Sequence, residues 1–498
     1  MKVIISFILL FVLLTSCVAT KNKHYSFNQK YSDTQVKEDI VLLKKILEAN
    51  HPSLYWYTSK DSIDYYFTTT LASIADSLTE TQAKNKIASI VSKIKCGHTS
   101  VRFSKQFTAL AEKHRYPQFP LSIKIWKDSM VVLARYNLED SILKRGTIVT
   151  SINGKKNKEI IGTISQYISP DGNSNNFKSQ NISGNFPVWY KNTFGIDSNY
   201  TVTYLDSLKQ EKSIVIKAYS PKKDTTKRRA DWEKVIGTKM IKTISAKEKR
   251  QAKLLKLRSM MIDTSINTAF IKLNTFSNGK LINFFDDSFD EIQEKKIKNI
   301  VFDIRENGGG NVASSIYLLR HLMSLKFKIA DTVAATNRKL EYGNHIKNWL
   351  QYWLVMRLFS SKKDDNLFHL KRYEKHYFKP KFNNHFDGNI YIIQGGYSFS
   401  AATIFSSFLK GQSNVKIIGE ESGGGFYGNS AIQIPKIILP NTKLQVGLPL
   451  YKYVMDRSRP KGGGVLPDVE IHPSSDAIKK GIDLKLMEVR KLIKEKNL

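Results

Sequence analysis

The order of apolar and polar positions divides this chain into stretches of different character. From Asp33 to Lys95 apolar residues return at helical intervals. Val36, Ile40, Leu43 and Leu47 share one face, as do Ala83, Ile87, Ile90, Val91 and Ile94. This predicts a helical N-terminal domain over 33–100 that ends at "KCGHTSV", with Gly97 suited to the left-handed position just beyond a helix. Residues 101–218 read as β structure with turns, in "FPLSIKIWKDSMVVLARY" and "LKRGTIVTSINGKK", where Asn153-Gly154 is a hairpin signal. Over 263–498, strand-like runs such as "IKNIVFDIREN", "NIYIIQGG" and "NVKIIGE" alternate with helical ones such as "SSIYLLRHLMSL" and "AATIFSSFLK". Buried strands separated by helices predict an α/β layer with parallel pairing. The fold class expected is therefore α/β, within a multidomain α+β chain. Residues 335–386 interrupt the alternation with aromatic- and Lys-rich sequence of no clear period and read as an insertion near the site, a lid.

The first seventeen residues, "MKVIISFILLFVLLTSC", set the compartment. One Lys precedes a continuous apolar run, the architecture of an export signal. Its end, "LLTSC", resembles a bacterial lipobox, which makes Cys17 the expected lipid-modified first residue of the mature protein. The run is short for a membrane-spanning helix, which needs roughly 20 residues. Residues 18–32 then read as a polar tether. The body is expected in the cell envelope, held to a bacterial membrane through its N-terminal lipid. With Cys17 so used, Cys96 is the only cysteine left and no intramolecular disulfide is possible.

Charge adds little to this picture. The chain carries 78 Lys+Arg against 44 Asp+Glu, a formal net charge of +34. The basic residues are spread widely, with one dense run at 221–258 inside a basic linker or helix at 219–262. No zinc-finger spacing and no RNP-type aromatic motif accompanies them, so no nucleic-acid partner is expected. No His/Asp/Glu cluster has metal spacing, and nothing calls for a cofactor.

The candidate chemistry sits in "GGYSFSAATIFSSFLK", residues 395–410. Ala401, Ile404, Phe405, Phe408 and Leu409 form a helical face, which puts Ser398 and Ser400 at a helix head after a strand. A serine there is either an N-cap or a nucleophile whose oxyanion faces unpaired N–H groups. Gly396-Tyr397-Ser398-Phe399-Ser400 lacks the second glycine of an α/β-hydrolase elbow. Upstream, "VFDIRENGGGN" is a strand that opens into three glycines, with no G-K-[ST] of a nucleotide loop.

Together "DIRENGGG", "SFSAATIF", "IIGEESGGG" and "GGGVLPDVEI" resemble the tail-specific proteases, serine peptidase family S41. The likeness covers about 265–490. The helical front with "GHTSV" and a middle module that resembles a PDZ domain come in the family's order. The resemblance implies a C-terminal catalytic domain of the ClpP/crotonase-like type, acting on peptide or protein substrates through an acyl-enzyme. Family register places the nucleophile nineteen residues before Gly419-Glu420, at Ser400 rather than Ser398, with Thr403 in the place of the usual Glu. The backbone N–H groups of Ala401 and of Gly309 or Gly310 are the implied oxyanion donors. Asp303 and Arg305 are read as holding the turn.

Two departures redirect the base. The family's dyad lysine position is Gly425, and no lysine lies in that segment. The tricorn-like branch instead takes a histidine from a His-Thr pair, matched by His98-Thr99. A neutral imidazole there can take the Ser Oγ proton and return it to the leaving amine. Gly97 stands where that branch has a relay serine, so Asp456 in "YVMDRSRP" is the candidate to orient the imidazole. Cys96, adjacent to His98, is set aside as a nucleophile because neighbours at a helix end rarely point at one another. The competing reading is an inactive member of the fold that binds peptides or apolar ligands, motivated by the missing lysine and the Thr403 replacement.

Overall fold

Two helices of the N-terminal region begin with reciprocal caps, which fix where the periodic runs start. Ser32 and Gln35 close a capping box ahead of the helix Asp33–Asn50, and Thr79 and Gln82 do so ahead of Glu80–Ser92. Lys60–Ala72 lies between them. In this computed structural model, which describes residues 25–114, 116–137, 141–221 and 245–496, the expected faces are buried, with Val36, Ile40, Leu43, Leu47, Ala83 and Ile87 all at 0% exposure. Cys17, the residue expected to carry lipid, and the expected export signal at 1–17 lie outside the described residues. No helix among the described residues is long and apolar enough to cross a membrane.

Residues 25–32 are packed rather than free as a tether would be. Lys30–Tyr31 pairs antiparallel with Leu78–Thr79, the Tyr25 hydroxyl donates to Glu80 at 2.6 Å, and Phe27 packs edge-on against Phe107. The end of the helical region also differs from expectation. The helix stops at Ser92, and the left-handed residue is Lys95 (φ 58°), not Gly97.

The middle region is an antiparallel sheet of Leu121–Trp126, Ser129–Arg135, Ile148–Ile152, Asn199–Leu205 and Glu211–Lys217. Asn153 (φ 50°) and Gly154 (φ 77°) turn the chain so that Ile152 opposes Lys155, as an Asn-Gly turn with two positive φ angles requires. Helices Asn157–Ser165, Asn175–Gly184 and Phe186–Phe194 accompany the sheet around Phe119, Phe186, Tyr190 and Tyr200.

The C-terminal region is built on six strands in the order Arg258–Asp263, Thr268–Leu273, Asn299–Asp303, Asn389–Gln394, Val415–Gly419, Val469–Glu470. The first is antiparallel to its neighbour and the rest run parallel, as the alternation of strand and helix implies. This domain therefore starts inside the stretch assigned to the basic linker. The helix Ala246–Leu257 before it buries no residue, while 222–244 lie outside the described residues.

Residues 335–386 are structured. Phe368–His369 pairs with the strand Thr332–Ala335, which also pairs with Lys452–Val454, and Trp349–Phe359 is a helix. None of these residues lines the cavity that holds Ser400, so the segment is a flank of the domain and not a lid over that cavity.

One further pairing positions the site. Val101–Arg102, three residues past His98, joins Gln445–Gly447 of the C-terminal region, with Val101 opposite Val446. The N-terminal helices and the parallel sheet share a continuous apolar core. His98 is thus fixed to the C-terminal region by a sheet edge and a common core.

Candidate active site

The strand Asn389–Gln394 delivers the chain into a turn that the side chain of Ser398 closes. Its Oγ donates to the Ile304 carbonyl at 2.8 Å and accepts from the Gly395 N–H at 3.2 Å, and the residue is wholly buried. Ser398 is a structural clasp. Two residues on, Ser400 heads the helix Ala401–Leu409 but makes no side-chain cap bond. Its backbone is at φ 53°, ψ −118°, and Ala402 N–H bonds the Phe399 carbonyl at 3.0 Å across it. This is the first central position of a type II′ turn, normally taken by glycine. A serine there stores about 1–3 kcal/mol of strain and points its Oγ away from the helix.

The glycine loop holds that conformation. A Cβ on Gly309 (φ 98°) would lie 2.7 Å from Ser400 Cβ and from the Phe399 carbonyl, so only glycine lets the two turns touch. The Gly309 N–H is already donated to Asn307 Oδ1 at 2.9 Å, which removes it as an oxyanion donor. Gly309 serves by its lack of a side chain. Gly310 N–H and Ala401 N–H make no hydrogen bond among the described residues, and Gly310 lines the cavity beside Ser400. Arg305 pairs with Asp303 at 2.9 Å and with Asp483 at 2.8 Å, and so ties the turn to the segment before the last helix.

His98 Nε2 lies 3.2 Å from Ser400 Oγ. Its ring rests against Phe399, with centroids 4.9 Å apart, and Phe399 rests in turn on Phe177. Burial holds the imidazole well below its usual range, at about 4, so the ring is neutral at neutral pH. A Cβ on Gly97 would fall 2.5 Å from the Phe399 ring, so a serine before this histidine would displace the ring that supports the imidazole.

Asp456 does not meet His98. Its Oδ1 accepts from Ser458 N–H and Oγ, and it pairs with Arg459 at 3.4 Å on a partly open surface. Ser458 and Arg459 thus hold it in a local turn. The carboxylate that does approach is Asp171, which the sequence did not single out. One of its oxygens, a ring nitrogen of His98 and Cys96 Sγ lie within 4.8 Å of one another. Asp171 Oδ1 accepts the Gly97 N–H at 2.7 Å, and the carboxylate also takes a backbone hydrogen bond from Gly425. His98 Nδ1 and Asp171 Oδ2 are both buried without a hydrogen-bond partner. Burial raises the Asp171 carboxyl to about 7, against the two backbone donors that favour its charge. The loop is clamped on both sides: Gly172 N–H bonds Lys95 O, and Asn173 N–H bonds Gly462 O.

Gly425, the position of the family lysine, has no room for a side chain, since a Cβ would sit 2.4 Å from the Gly428 carbonyl. A dyad lysine is therefore sterically excluded. Cys96, His98 and Asp171 form the one group among the described residues with the composition of a metal site. Burial pushes the Cys96 thiol up to about 12, so it is a poor ligand and a poor nucleophile at neutral pH.

Residues 267–471 match the model of peptidase family S41. The C-terminal domain is a family S41 peptidase domain. By class the protein is a serine-type peptidase, with peptides or proteins as substrates. The match leaves out His98 and Asp171, which come from earlier in the chain. Mature CPAF is similar in fold, with TM-score 0.62, 12% identity, and 93% of this chain and 97% of that chain covered. So is mature CPAF complexed with lactacystin, at TM-score 0.62, 11% identity and coverage of 93% and 98%. The photosystem II D1 C-terminal processing protease aligns over 89% of this chain and 97% of its own at 12% identity, with TM-score 0.42. No curated protein matches the chain.

Proposed function

We propose that this protein cleaves peptide bonds through an acyl-enzyme formed on Ser400, with His98 as the base. The observation that carries this reading is the 3.2 Å approach of a neutral imidazole nitrogen to the hydroxyl of a strained serine beside a cavity of about 590 Å³. His98 Nε2 takes the proton as Ser400 Oγ attacks the carbonyl carbon, then gives it to the leaving amine. Water repeats the sequence on the ester. The N–H groups of Ala401 and Gly310 receive the developing oxyanion. Asp171, next to the ring, stabilises the imidazolium that forms between the two transfers, and its two backbone donors keep it in place.

The lipobox-like end of the export signal supports a body tethered in the cell envelope through lipid on Cys17. Mass spectrometry of the membrane fraction tests this, because an unmodified Cys17 in the mature chain excludes it.

Labelling with a fluorophosphonate probe tests the chemistry. The wild type is expected to label at the peptide containing Ser400, the Ser400→Ala protein not at all, and His98→Ala slowly. A folded wild-type protein that never labels would return the chain to the inactive-binder reading.

A further inference from the structure

Among the described residues, the buried charges other than Asp171 and Lys84 are matched by hydrogen bonds or ion pairs. Asp39 accepts from Asn441 and Thr442, Glu80 from Ser104 and Tyr25, and Lys485 pairs with Glu420 at 2.7 Å. Glu374 is paired with Lys363 and His369. Lys84, on the inner side of the helix Glu80–Ser92, is 7% exposed and has no carboxylate or hydrogen-bond acceptor among the described residues. Its ammonium lies 5.1 Å from the Phe103 ring centroid and 5.7 Å from that of Trp189. Two aromatic faces partly replace water around a cation, and they leave its donors unused. Burial alone draws the amine down to about 8.

Lys84 stands where two cavities meet. It lines both the cavity of about 590 Å³ that holds Ser400 and His98 and a neighbouring one of about 860 Å³. Arg102 and Lys436 also line the first, and the Lys436 amine is lowered by burial and then by Arg102. Lys124 lines the second, with Glu306 the one acidic residue there. The wall that the two cavities share thus carries Lys84 and Arg102 and no acidic residue.

We propose that Lys84, with Arg102 at the open end, is a carboxylate subsite of the cleft that selects peptides bearing a negative charge near the scissile bond. The proposal rests on the peptidase reading of the same cleft. A substrate carboxylate supplies the partner that the fold withholds from Lys84, and a charge-assisted bond in a desolvated pocket discriminates strongly against a neutral isostere. The carboxylate belongs either to an Asp or Glu side chain or to the peptide C-terminus.

Binding to the full-length Ser400→Ala protein separates these sources without requiring turnover. The probes are hexapeptide libraries in matched sets, Glu against Gln at each scanned position and free acid against C-terminal amide. One of the two contrasts is expected to favour the carboxylate by at least about tenfold. That preference should vanish in Lys84→Met and persist in Lys84→Arg. Equal binding of both members in both sets, or a preference that survives Lys84→Met, overturns the proposal. If Lys84→Met does not fold, proton linkage decides. At pH 8–9 binding should take up a proton, because a carboxylate raises the Lys84 amine above its free value, and binding without uptake overturns the subsite. A failure of the catalytic reading appears separately, as absent fluorophosphonate labelling of a protein that still shows the preference.

Discussion

His98 Nε2 and Ser400 Oγ stand 3.2 Å apart across 302 residues of chain. The short strand Val101–Arg102, paired to Gln445–Gly447, makes that approach a fixed property of the fold. Ser400→Ala and His98→Ala should each lower kcat by about 10⁴ or more, since the members of such a unit act together. By contrast Ser398→Ala should still label with a fluorophosphonate. It should lose about 1–3 kcal/mol of stability from the unmet Ile304 carbonyl and Gly395 N–H, read by denaturant titration.

The pH profile distinguishes Asp171 from a bystander. With its carboxyl at about 7 and the imidazole at about 4, kcat/KM should fall first as Asp171 gains a proton and again as His98 does. Asp171→Asn should cost about 10²–10⁴ in kcat. It should also erase the limb near 7 and leave the one near 4. A limb near 7 that survives in Asp171→Asn assigns that limb elsewhere.

Gly309→Ala tests the contact between the two turns. The new methyl would stand 2.7 Å from Ser400 Cβ at a φ of 98°, so the serine must shift. A displacement near 1 Å costs on the order of 10² in rate. The expected outcome is a large kcat loss with Ser400 still present, measured as slowed labelling. Gly97→Ser should act the same way through Phe399, which its Cβ would meet at 2.5 Å.

Stability should fall in acid ahead of carboxylate protonation. Burial lowers His51 to about 3, and His98 and His321 to about 4, from an ordinary 6.5. Between those values the unfolded chain binds protons that the folded one refuses, so stability declines as pH drops from about 6.5 toward 4. Tm measured across that window should decrease steadily, and His51→Gln should flatten the slope if the mutant folds. Asp171 works in the opposite sense. Its folded value lies above its unfolded one, so it weakens the fold as pH rises from about 4 toward 7.

Much of the architecture was legible along the chain. The faces of Val36–Leu47 and Ala83–Ile94 are buried as their spacing implied, and Asn153-Gly154 makes the hairpin turn its residue types demand. These features depend on neighbours within a few residues, where backbone sterics and amphipathic periodicity act directly. Ser400 was singled out over Ser398 by its distance to Gly419-Glu420 in the register of the family it resembles, a one-dimensional quantity. Asp456 misled because an acidic residue near the right motif carries no information about where its side chain finds partners. Here Ser458 and Arg459 hold it locally.

Sequence by itself thus determined most of the elements, the peptidase domain and the place of Ser400 at the head of a helix after a strand. Only the tertiary structure decided what surrounds that serine. Asp171 comes within 4.8 Å of the imidazole, on a loop that Lys95 and Gly462 grip from two other regions, and Gly309 keeps its place by what it lacks. Lys84 lies between the Phe103 and Trp189 rings, with no anion beside it among the described residues. Such properties arise from burial and from contacts between distant segments, which desolvate a charge or exclude a side chain. No local pattern records either effect.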